Sequence, residues 1–300
     1  MIIVKLFGGL GNQLFQYAFG KKLSLKTNQK LYLEIESGFK NDPYQRNYNL
    51  SPFKVQENLL KNDPISLDMH HLSIDKKHWQ GKVKNYLLGL KRHNWQLIRE
   101  KNLEYDASIE AIKKHSYLDG FWQSENYFKD VREEILKEFQ LKAPLKNENA
   151  LISKKMSEVV SVSLHIRRMH GLELPGQHHH KIHGGLDFAY YQKAIDIVAA
   201  QHPNLELFVF SDDIEWAKEN FKSQFPVEFM SQNDDAHNYL DLVLMSHCKH
   251  QIIANSTFSW WGAWLNQNPE KIVIAPQMWF VNQEMNAQTR DLIPQNWLRI

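Results

Sequence analysis

The chain has 300 residues, of which 43% are hydrophobic and 23% are charged, and these proportions are typical of a globular protein and exclude a disordered one. Its 36 Lys and Arg residues nearly balance 34 Asp and Glu residues, so the charge gives no reason to expect nucleic acid as the main partner. Cys248 is the only cysteine, which excludes an intrachain disulfide and fits a reducing compartment.

The N-terminal segment, MIIVKLFGGLGNQ, lacks the basic residues, the long apolar run and the cleavage site of a secretory signal. No stretch approaches the roughly 18 consecutive apolar residues of a membrane-spanning helix. We therefore expect a cytoplasmic protein. The segment from Lys76 to Lys101 holds eight Lys or Arg residues and one acid, which is typical of a solvated basic face. Peripheral contact with the anionic inner face of a membrane stays open as an alternative.

The chain begins with the pattern of a strand, a glycine loop and a helix. Ile2-Ile3-Val4 predicts a buried strand, and the glycines between Gly8 and Gly11 interrupt it. Asn12 can cap a helix whose apolar residues recur with a period of 3.6, and 31–33 predicts a second strand. This opening predicts an open α/β sheet.

The glycine loop leaves a dinucleotide site open, but its fingerprint is incomplete. Leu14 stands where the third glycine should be, and Glu34 lies only near the position of the expected acid. The glycines more simply let the backbone approach a ligand, and the amides beside them can contact it. The residues that we expect to contact a ligand here are Gly9, Gly11, Asn12 and Gln13.

Strands and helices alternate in the second half of the chain. A polar segment at 142–158 predicts a linker or a surface helix, and we therefore divide the chain into domains at 1–150 and 151–300. Alternation of this kind predicts a parallel sheet covered on both faces. The predicted strands are 160–166, 205–210, 227–230, 251–254 and 272–275, and the predicted helices are 190–199, 214–221, 236–248 and 258–265.

Three polar motifs follow predicted strands, and ligands of parallel sheets bind at that edge. In the first motif, at 165–168, an arginine can bind a diphosphate, although a surface ion pair is the alternative. In the second, at 211–213, the two acids can contact a ribose or a guanine, or cap a helix. The third, at 255–259, can bind an anion at the start of a helix, or simply cap that helix. The candidate residues are His165, Arg167, Arg168, Asp212, Asp213, Asn255, Ser256, Thr257, Phe258 and Ser259.

Two further segments suggest ligands. The segment Asp119–Glu125 combines two acids, an amide and a tryptophan, which suits a sugar ring, although a core tryptophan at a strand end is the alternative. Histidines cluster at His170 and between His178 and His183. A metal site there stays open, but adjacent histidines on a loop do not provide the fixed ligand spacing that zinc needs, and we expect none. The candidate sugar-binding residues are Asp119, Trp122 and Gln123.

Five ordered motifs together resemble the bacterial α-1,2-fucosyltransferases of glycosyltransferase family 11. They are GGLGNQLFQYA at 8–18, DGFWQSENYF at 119–128, SVSLHIRR at 161–168, VFSDD at 209–213 and IIANSTFSWWGAWLN at 252–266. The resemblance covers nearly the whole chain. It implies a GT-B-like α/β fold of two Rossmann-like domains facing a cleft, and transfer of L-fucose from GDP-fucose to a galactose-containing glycan without metal or cofactor.

The resemblance also implies residue roles. His165 and Asp212 would contact the guanosine and Arg167 the diphosphate, with Ser256, Thr257 and Ser259 at the phosphates. Asn12 and Gln13 would lie near the fucose and the acceptor. The reaction would invert the anomeric centre, and positive charge at the β-phosphate makes Arg167 the first choice for catalysis. The catalytic candidates are Arg167, Asn12 and His170.

One segment departs from the family pattern. The family usually reads HIRRGDY, whereas Met169, His170 and Gly171 follow Arg168 here. We hypothesise that His170 replaces the missing acid as the general base, because an imidazole titrates near neutrality. Another nucleotide-sugar transferase, a non-catalytic sugar- or nucleotide-binding relative and an NAD(P) oxidoreductase stay open as alternative functions.

Overall fold

The computed structural model describes residues 1–60, 95–113, 115–168 and 183–300. The chain divides into two compact units, Met1–Lys142 (unit 1) and Ala143–Ile300 (unit 2). Most of the basic segment beginning at Lys76, and the histidines from His170 to His180, lie outside the described residues. In the described part of the chain, no helix has the length and the apolar composition needed to cross a bilayer.

The described part of unit 1 contains a parallel sheet in the order β3-β2-β1-β5-β4. Its two described α-helices are α1 and α2. The bounds are β1 Ile2–Lys5, α1 Leu10–Thr27, β2 Leu31–Glu34, β3 Leu59–Leu60, β4 Trp95–Arg99, β5 His115–Asp119 and α2 Arg132–Glu138.

The helix α1 packs closely on the sheet of unit 1. Ile2, Ile3 and Val4 of the central strand β1 are fully buried, as the apolar run predicted. A Cβ atom on Gly20 would lie 2.2 Å from Cγ2 of Val4, so glycine is needed for the helix to approach the strand. Lys21 of α1 donates a hydrogen bond to Glu138 of α2 at 2.6 Å, which links the two helices.

The described part of unit 2 contains a second parallel sheet in the order β11-β10-β9-β6-β7-β8. Numbered within the unit, this is the order 3-2-1-4-5-6 of dinucleotide-binding folds. The bounds are α3 Asn147–Glu158, β6 Val160–Ile166, α4 Phe188–Ala199, β7 Leu205–Ser211, α5 Ile214–Asn220, β8 Val227–Phe229, α6 Asn238–His247, β9 His250–Ile252, α7 Thr257–Leu265, β10 Val273–Ala275, α8 Gln283–Ala287 and β11 Leu298–Arg299.

Both faces of the second sheet are covered, as the alternating pattern predicted. Leu207 and Val209 of β7 belong to one apolar cluster, which includes residues of α4. Phe208 belongs to a second cluster, in which Ile152 and Met156 of α3 are also buried. The polar segment that predicted a linker or a surface helix therefore contains a helix that contributes two side chains to the core.

The observed elements of unit 2 agree with the predicted strands and helices to within a few residues. The strand predicted at 251–254 is observed at His250–Ile252, and the helix predicted at 236–248 is observed at Asn238–His247 after a short 3-10 turn. The strand Leu298–Arg299 was not predicted, because two residues carry no periodicity. It pairs with Ile274 and Ala275 of β10 and forms the edge of the sheet.

Candidate functional site

The sheet of unit 2 reverses its strand order beside β6, which pairs with β7 on one side and β9 on the other. Ile166 at the end of β6 lies opposite Ser211, and Leu164 lies opposite Ile252. The three polar motifs therefore begin at the carboxyl-terminal edge of the sheet, within two residues of one another along the strand direction. The carboxyl ends on either side of such a reversal form the crevice in which parallel sheets bind ligands.

Arg167 and Asp212 form an ion pair at this crevice. The Nη1 atom of Arg167 lies 3.3 Å from Oδ2 of Asp212, and 27% of the arginine side chain is exposed. The other carboxylate oxygen of Asp212 accepts the backbone N–H of Arg168 at 2.8 Å. A partly exposed guanidinium is thus held beside the strand end, where it can reach an anion.

Arg168 has a different environment from Arg167. Its Nη1 atom donates to Oδ2 of Asp213 at 3.2 Å, and its guanidinium lies 3.9 Å from the ring centroid of Trp216. The Trp216 ring also stacks on Phe188, with 5.5 Å between ring centroids and 7° between the planes. The side chain of Arg168 is therefore bound to protein groups; both arginines form ion pairs, and Arg168 also stacks on an aromatic ring.

Asp213 is the N-cap of α5. Its Oδ1 atom accepts the backbone N–H of Trp216 at 3.2 Å, and its own N–H donates to Oγ of Ser211 at 3.0 Å. A carboxylate at this position stabilises the first turn of a helix. The two adjacent acids thus differ: Asp213 caps the helix, and Asp212 holds Arg167.

His165 carries an unsatisfied polar atom on the strand that precedes Arg167. Within the described residues, its Nδ1 atom is buried and has no hydrogen-bond partner. Burial, with a smaller contribution from Arg167, lowers the pKa of His165 to about 3, so the imidazole is neutral at physiological pH. A neutral imidazole can accept or donate one further hydrogen bond, according to its tautomer.

The third motif forms the start of α7. The Ser256 side chain caps the helix by accepting the N–H of Phe258 at 3.3 Å, and buried Ser259 donates to the Ser256 carbonyl at 3.3 Å. Asn255 donates to the His183 carbonyl at 2.7 Å, while its Oδ1 atom is buried without a partner among the described residues. Thr257 is the first helical residue. The N-terminus of α7 therefore follows β9 at the crevice, where its N–H groups favour an anion.

The residues of the glycine loop in unit 1 have different structural roles. Gly8 has a φ of 76°, a left-handed conformation that favours glycine, and Gly9 is the N-cap of α1, followed by buried Gly11. Gln13 is fully buried; it donates to the carbonyls of Gly8 at 3.0 Å and Asn47 at 2.9 Å, and its Oε1 accepts the N–H of Asn49 at 2.9 Å. The Gln13 amide is thus an internal anchor for the 47–49 loop.

Glu34 bears on the dinucleotide alternative. It is the last residue of β2, where a ribose-binding acid would stand. Its Oε1 accepts the N–H groups of Glu36 at 2.8 Å and Ser37 at 2.7 Å, and its Oε2 accepts the hydroxyl of Tyr117 at 3.2 Å. This fully buried carboxylate is satisfied by protein groups. The environment of Glu34 therefore disfavours an NAD(P) site in unit 1.

The sugar-binding candidates of unit 1 lie at the end of β5. Asp119 pairs with Lys5 at 3.2 Å and Arg99 at 3.5 Å. Gln123 donates to Oδ1 of Asn12 at 3.0 Å. Trp122 is fully buried, with its ring 4.8 Å from that of Phe19, so it has the core position that the sequence left open and cannot offer its face to a ligand.

Sequence reasoning missed Phe121, the neighbour of Trp122. Its ring lies 4.7 Å from that of Phe7, and both residues are half-buried. No periodic pattern in the sequence indicates this arrangement, because it depends on the left-handed backbone of Trp122, which has a φ of 59°.

The metal alternative concerns mostly residues outside the described ranges. Among the described residues, no group of three or more His, Cys, Asp or Glu side chains could hold a metal ion. His170 and His178–His180 lie outside those residues, and His183 is the first residue described after them. The role of His170 as a base therefore stays a prediction.

Comparison with known proteins identifies the family. The chain matches the model of glycosyl transferase family 11 over residues 1–300. It is 34% identical to an Escherichia coli alpha-1,2-colitosyltransferase, over 100% of this chain and 99% of the relative. Human galactoside alpha-(1,2)-fucosyltransferase 1 is 32% identical over 49% of this chain and 42% of the relative.

A mutant of Arabidopsis thaliana FUT1, solved in complex with GDP, has a TM-score of 0.54 at 12% identity, over 91% of this chain and 69% of that one. The two parallel sheets and this likeness confirm the predicted GT-B-like α/β fold. The chain belongs to glycosyl transferase family 11.

Proposed function

We propose that this enzyme transfers L-fucose from GDP-fucose to the 2-hydroxyl of a galactoside, with inversion at the anomeric carbon. The observation that carries the proposal is the ion pair of Arg167 and Asp212 at the strand reversal of unit 2, beside the N-terminus of α7. Both the arginine and the helix end attract phosphate oxygens, and they follow neighbouring strands of one sheet.

Arg167 is the proposed ligand of the β-phosphate. The ion pair with Asp212 involves the Nη1 atom of Arg167. Because a guanidinium has five N–H donors, its other N–H groups can bind phosphate while Asp212 holds the side chain. Ser256 and Ser259 supply hydroxyls at the start of α7, next to the helix N–H groups. A diphosphate bound there would interact with a fixed positive charge and a helix dipole at once.

His165 and Asp212 are the proposed guanosine contacts. The buried Nδ1 atom of His165 has no partner among the described residues, and its lowered pKa keeps the imidazole neutral and able to form a hydrogen bond. Asp212 accepts the backbone N–H of Arg168 and pairs with Arg167, but a carboxylate has about four lone-pair sites, so it can also accept the N–H groups of a guanine or a ribose hydroxyl.

The proposed step is a single displacement. The bond between the anomeric carbon and the β-phosphate oxygen breaks, and its electron pair leaves with GDP. The acceptor oxygen bonds to the anomeric carbon from the opposite face, and its proton passes to a base, for which we propose His170. Negative charge develops on the β-phosphate, so Arg167 stabilises the transition state more than the ground state. We propose that Arg167 and the α7 N-terminus meet this need without a metal; undiminished transfer in EDTA would support this, and loss of transfer would contradict it.

The similarity to a colitosyltransferase suggests GDP-colitose as a second donor. The colitosyltransferase relative covers the whole chain at 34% identity, and colitose is L-fucose without its 3-hydroxyl. The resemblance of five motifs to α-1,2-fucosyltransferases favours fucose. A site that hydrogen-bonds the 3-hydroxyl would reject the deoxy sugar, whereas a site without such a contact would accept both.

The experiment is a donor and acceptor screen with linkage analysis. GDP-fucose, GDP-colitose and a UDP-sugar would each be incubated with lactose, and the product linkage read by NMR. We expect transfer from GDP-fucose to O2 of galactose, no transfer to a 2-deoxygalactoside control, and displacement of bound GDP by GDP-fucose but not by UDP. Preference for GDP-colitose would revise the donor. Equal competition by UDP would contradict guanine recognition, and binding without GDP release would favour the non-catalytic alternative.

A further inference from the structure

We infer that unit 1 binds the pyranose ring of the acceptor on an aromatic platform formed by Phe7 and Phe121, and that Gln16 and Glu100 are positioning residues for it. The inference rests on the proposed function, because the acceptor is the galactoside named there. It replaces Trp122 as the sugar-stacking residue, since Trp122 is fully buried.

The platform lies at the carboxyl ends of two adjacent strands of the sheet in unit 1. The central strand β1 pairs in parallel with β2 on one side and β5 on the other. Phe7 comes two residues after the end of β1, and Phe121 two residues after the end of β5. Their ring centroids are 4.7 Å apart and the planes are inclined by 60°. Two half-buried rings thus lie at the sheet edge where ligands of parallel sheets bind.

Polar side chains suited to sugar hydroxyls come from the same two segments as the rings: Lys5 precedes Phe7 by two residues, and Asp119 and Gln123 flank Phe121. Lys5 lies 5.5 Å from the Phe7 ring centroid and pairs with Asp119 at 3.2 Å. The amides of Asn12 and Gln123 are joined by a hydrogen bond of 3.0 Å. A pyranose has an apolar C–H face and a rim of hydroxyls, and an apolar surface edged by a few polar groups matches both parts.

Glu100 fixes the backbone that carries Phe121. Its two carboxylate oxygens accept the consecutive N–H groups of Phe121 at 2.7 Å and Trp122 at 2.9 Å. Trp122 has a φ of 59°, which is unfavourable for a residue with a large side chain and is retained only where the surroundings enforce it. The carboxylate thus holds a strained turn whose effect is to bury Trp122 and leave Phe121 half-buried.

Gln16 fixes the backbone that carries Phe7. This fully buried side chain of α1 accepts the N–H of Phe7 at 3.1 Å and donates to its carbonyl at 3.3 Å. Each ring of the platform therefore has its backbone fixed by a polar side chain from another part of the chain, buried in the case of Gln16 and half-buried in the case of Glu100. Such fixation of a contact surface is expected where a ligand must be oriented to within a fraction of an ångström.

The first test compares Phe121→Leu with Phe121→Tyr in steady-state kinetics. Loss of the aromatic face is expected to raise the KM for lactose about tenfold, with the KM for the GDP-sugar and donor hydrolysis without acceptor unchanged. The tyrosine variant keeps the face and should stay near wild type. Tyr105→Leu, at a half-buried aromatic residue that contacts Tyr127, is the matched control. An unchanged lactose KM in Phe121→Leu, or equal damage by tyrosine, would overturn the platform.

The second test addresses Glu100. Glu100→Gln replaces one acceptor oxygen by an N–H group facing a backbone N–H, so the turn should shift. We expect a several-fold higher KM for lactose and an unchanged KM for the GDP-sugar. An unchanged lactose KM, or equal changes for both substrates, would contradict the positioning role. If this variant fails to fold, Glu100→Asp, which keeps the charge on a shorter side chain, gives the same readout.

Failure of the platform can be distinguished from failure of the proposed function. If the wild-type protein releases no GDP from any GDP-sugar, the proposed function fails. Saturation-transfer NMR with lactose then tests the platform without catalysis. We expect wild type and Phe121→Tyr to give signals from the galactose C–H groups and Phe121→Leu to lose them. Equal signals from all three proteins would overturn the inference.

Discussion

The guanidinium of Arg167 lies 3.3 Å from the carboxylate of Asp212, across the boundary between β6 and β7. The same carboxylate accepts the backbone N–H of Arg168 at 2.8 Å. Asp212 therefore fixes both the backbone that follows Arg167 and the arginine side chain itself. An arginine held in this way loses less conformational freedom when it binds a phosphate than one that is free in solvent.

Replacing Asp212 by asparagine tests this relationship. Asp212→Asn keeps one side-chain oxygen but removes the charge that pairs with Arg167. We expect kcat to fall by about 10- to 100-fold, because the arginine would no longer be oriented at the leaving group. Steady-state kinetics with GDP-fucose checks this. Asp213→Asn is the matched control, since asparagine also caps helices well, and it should stay within about threefold of wild type. Equal losses in both variants would contradict the assignment.

Arg168 and Trp216 offer a test of the second arginine. Their contact at 3.9 Å is expected to contribute a coupling energy of about 0.5–1.5 kcal/mol to the free energy of unfolding. A double-mutant cycle with Arg168→Ala and Trp216→Leu, measured by urea unfolding, gives this value. Lys193 is exposed on α4, so Arg168→Ala combined with Lys193→Ala should be additive. Zero coupling between Arg168 and Trp216 would contradict the stacking.

Gln13 is expected to affect stability rather than substrate binding. Gln13→Ala would leave the N–H of Asn49 and the carbonyl of Asn47 without their buried partner, at a cost of about 1–3 kcal/mol. Thermal unfolding should show this loss, while the KM values of any folded fraction stay near wild type. Asn12→Ala, at a half-buried neighbour on the same helix, should cost less stability. A stable Gln13→Ala with raised KM values would favour the ligand contact that the family resemblance implies.

Asp241 provides a pH-dependent test. Burial raises its pKa to about 6, although it accepts a hydrogen bond from Asn233. In the unfolded chain its pKa is near 4, so ionisation between pH 4 and 6 favours the unfolded state, and this cost is complete above pH 6. Asp241→Asn removes that cost.

The expected result is a free energy of unfolding that is higher in Asp241→Asn by on the order of 1 kcal/mol at pH 7.5, with the difference shrinking toward pH 4. Urea unfolding at several pH values measures it. Asp196→Asn, at an exposed carboxylate of α4, is the control and should show no such trend. A difference that is constant with pH would contradict the raised pKa.

The parts of the fold that the sequence predicts are those with long periodic patterns. Val160–Ile166 alternates clearly because its odd and even residues face different layers, and the observed strand has those bounds. The strands β3 and β11 have two residues each, so their existence depends on the neighbouring strands that pair with them. The strand β5 was not predicted either, since its sequence HSYLD has no clear alternation.

The sequence predicted where the candidate site lies better than it predicted which side chains contact each other there. Strand ends could be located from the pattern, and strand order then brings Arg167 beside Asp212. Which of two adjacent arginines faces the crevice depends on Trp216 and Asp213, whose positions are set by tertiary packing. Similarly, the sequence FWQ does not reveal that Glu100 holds a left-handed turn, and so it could not indicate that Phe121 rather than Trp122 is half-buried.

The most direct measurement is the single-turnover rate of fucose transfer by Arg167→Ala at saturating GDP-fucose and lactose. Removing one charged donor from a developing anion is expected to slow transfer by about 10²–10³-fold. The Kd for GDP, measured by calorimetry, should weaken far less, and Arg167→Lys should recover only part of the rate because it lacks the planar fork. A rate within threefold of wild type in Arg167→Ala would contradict the account.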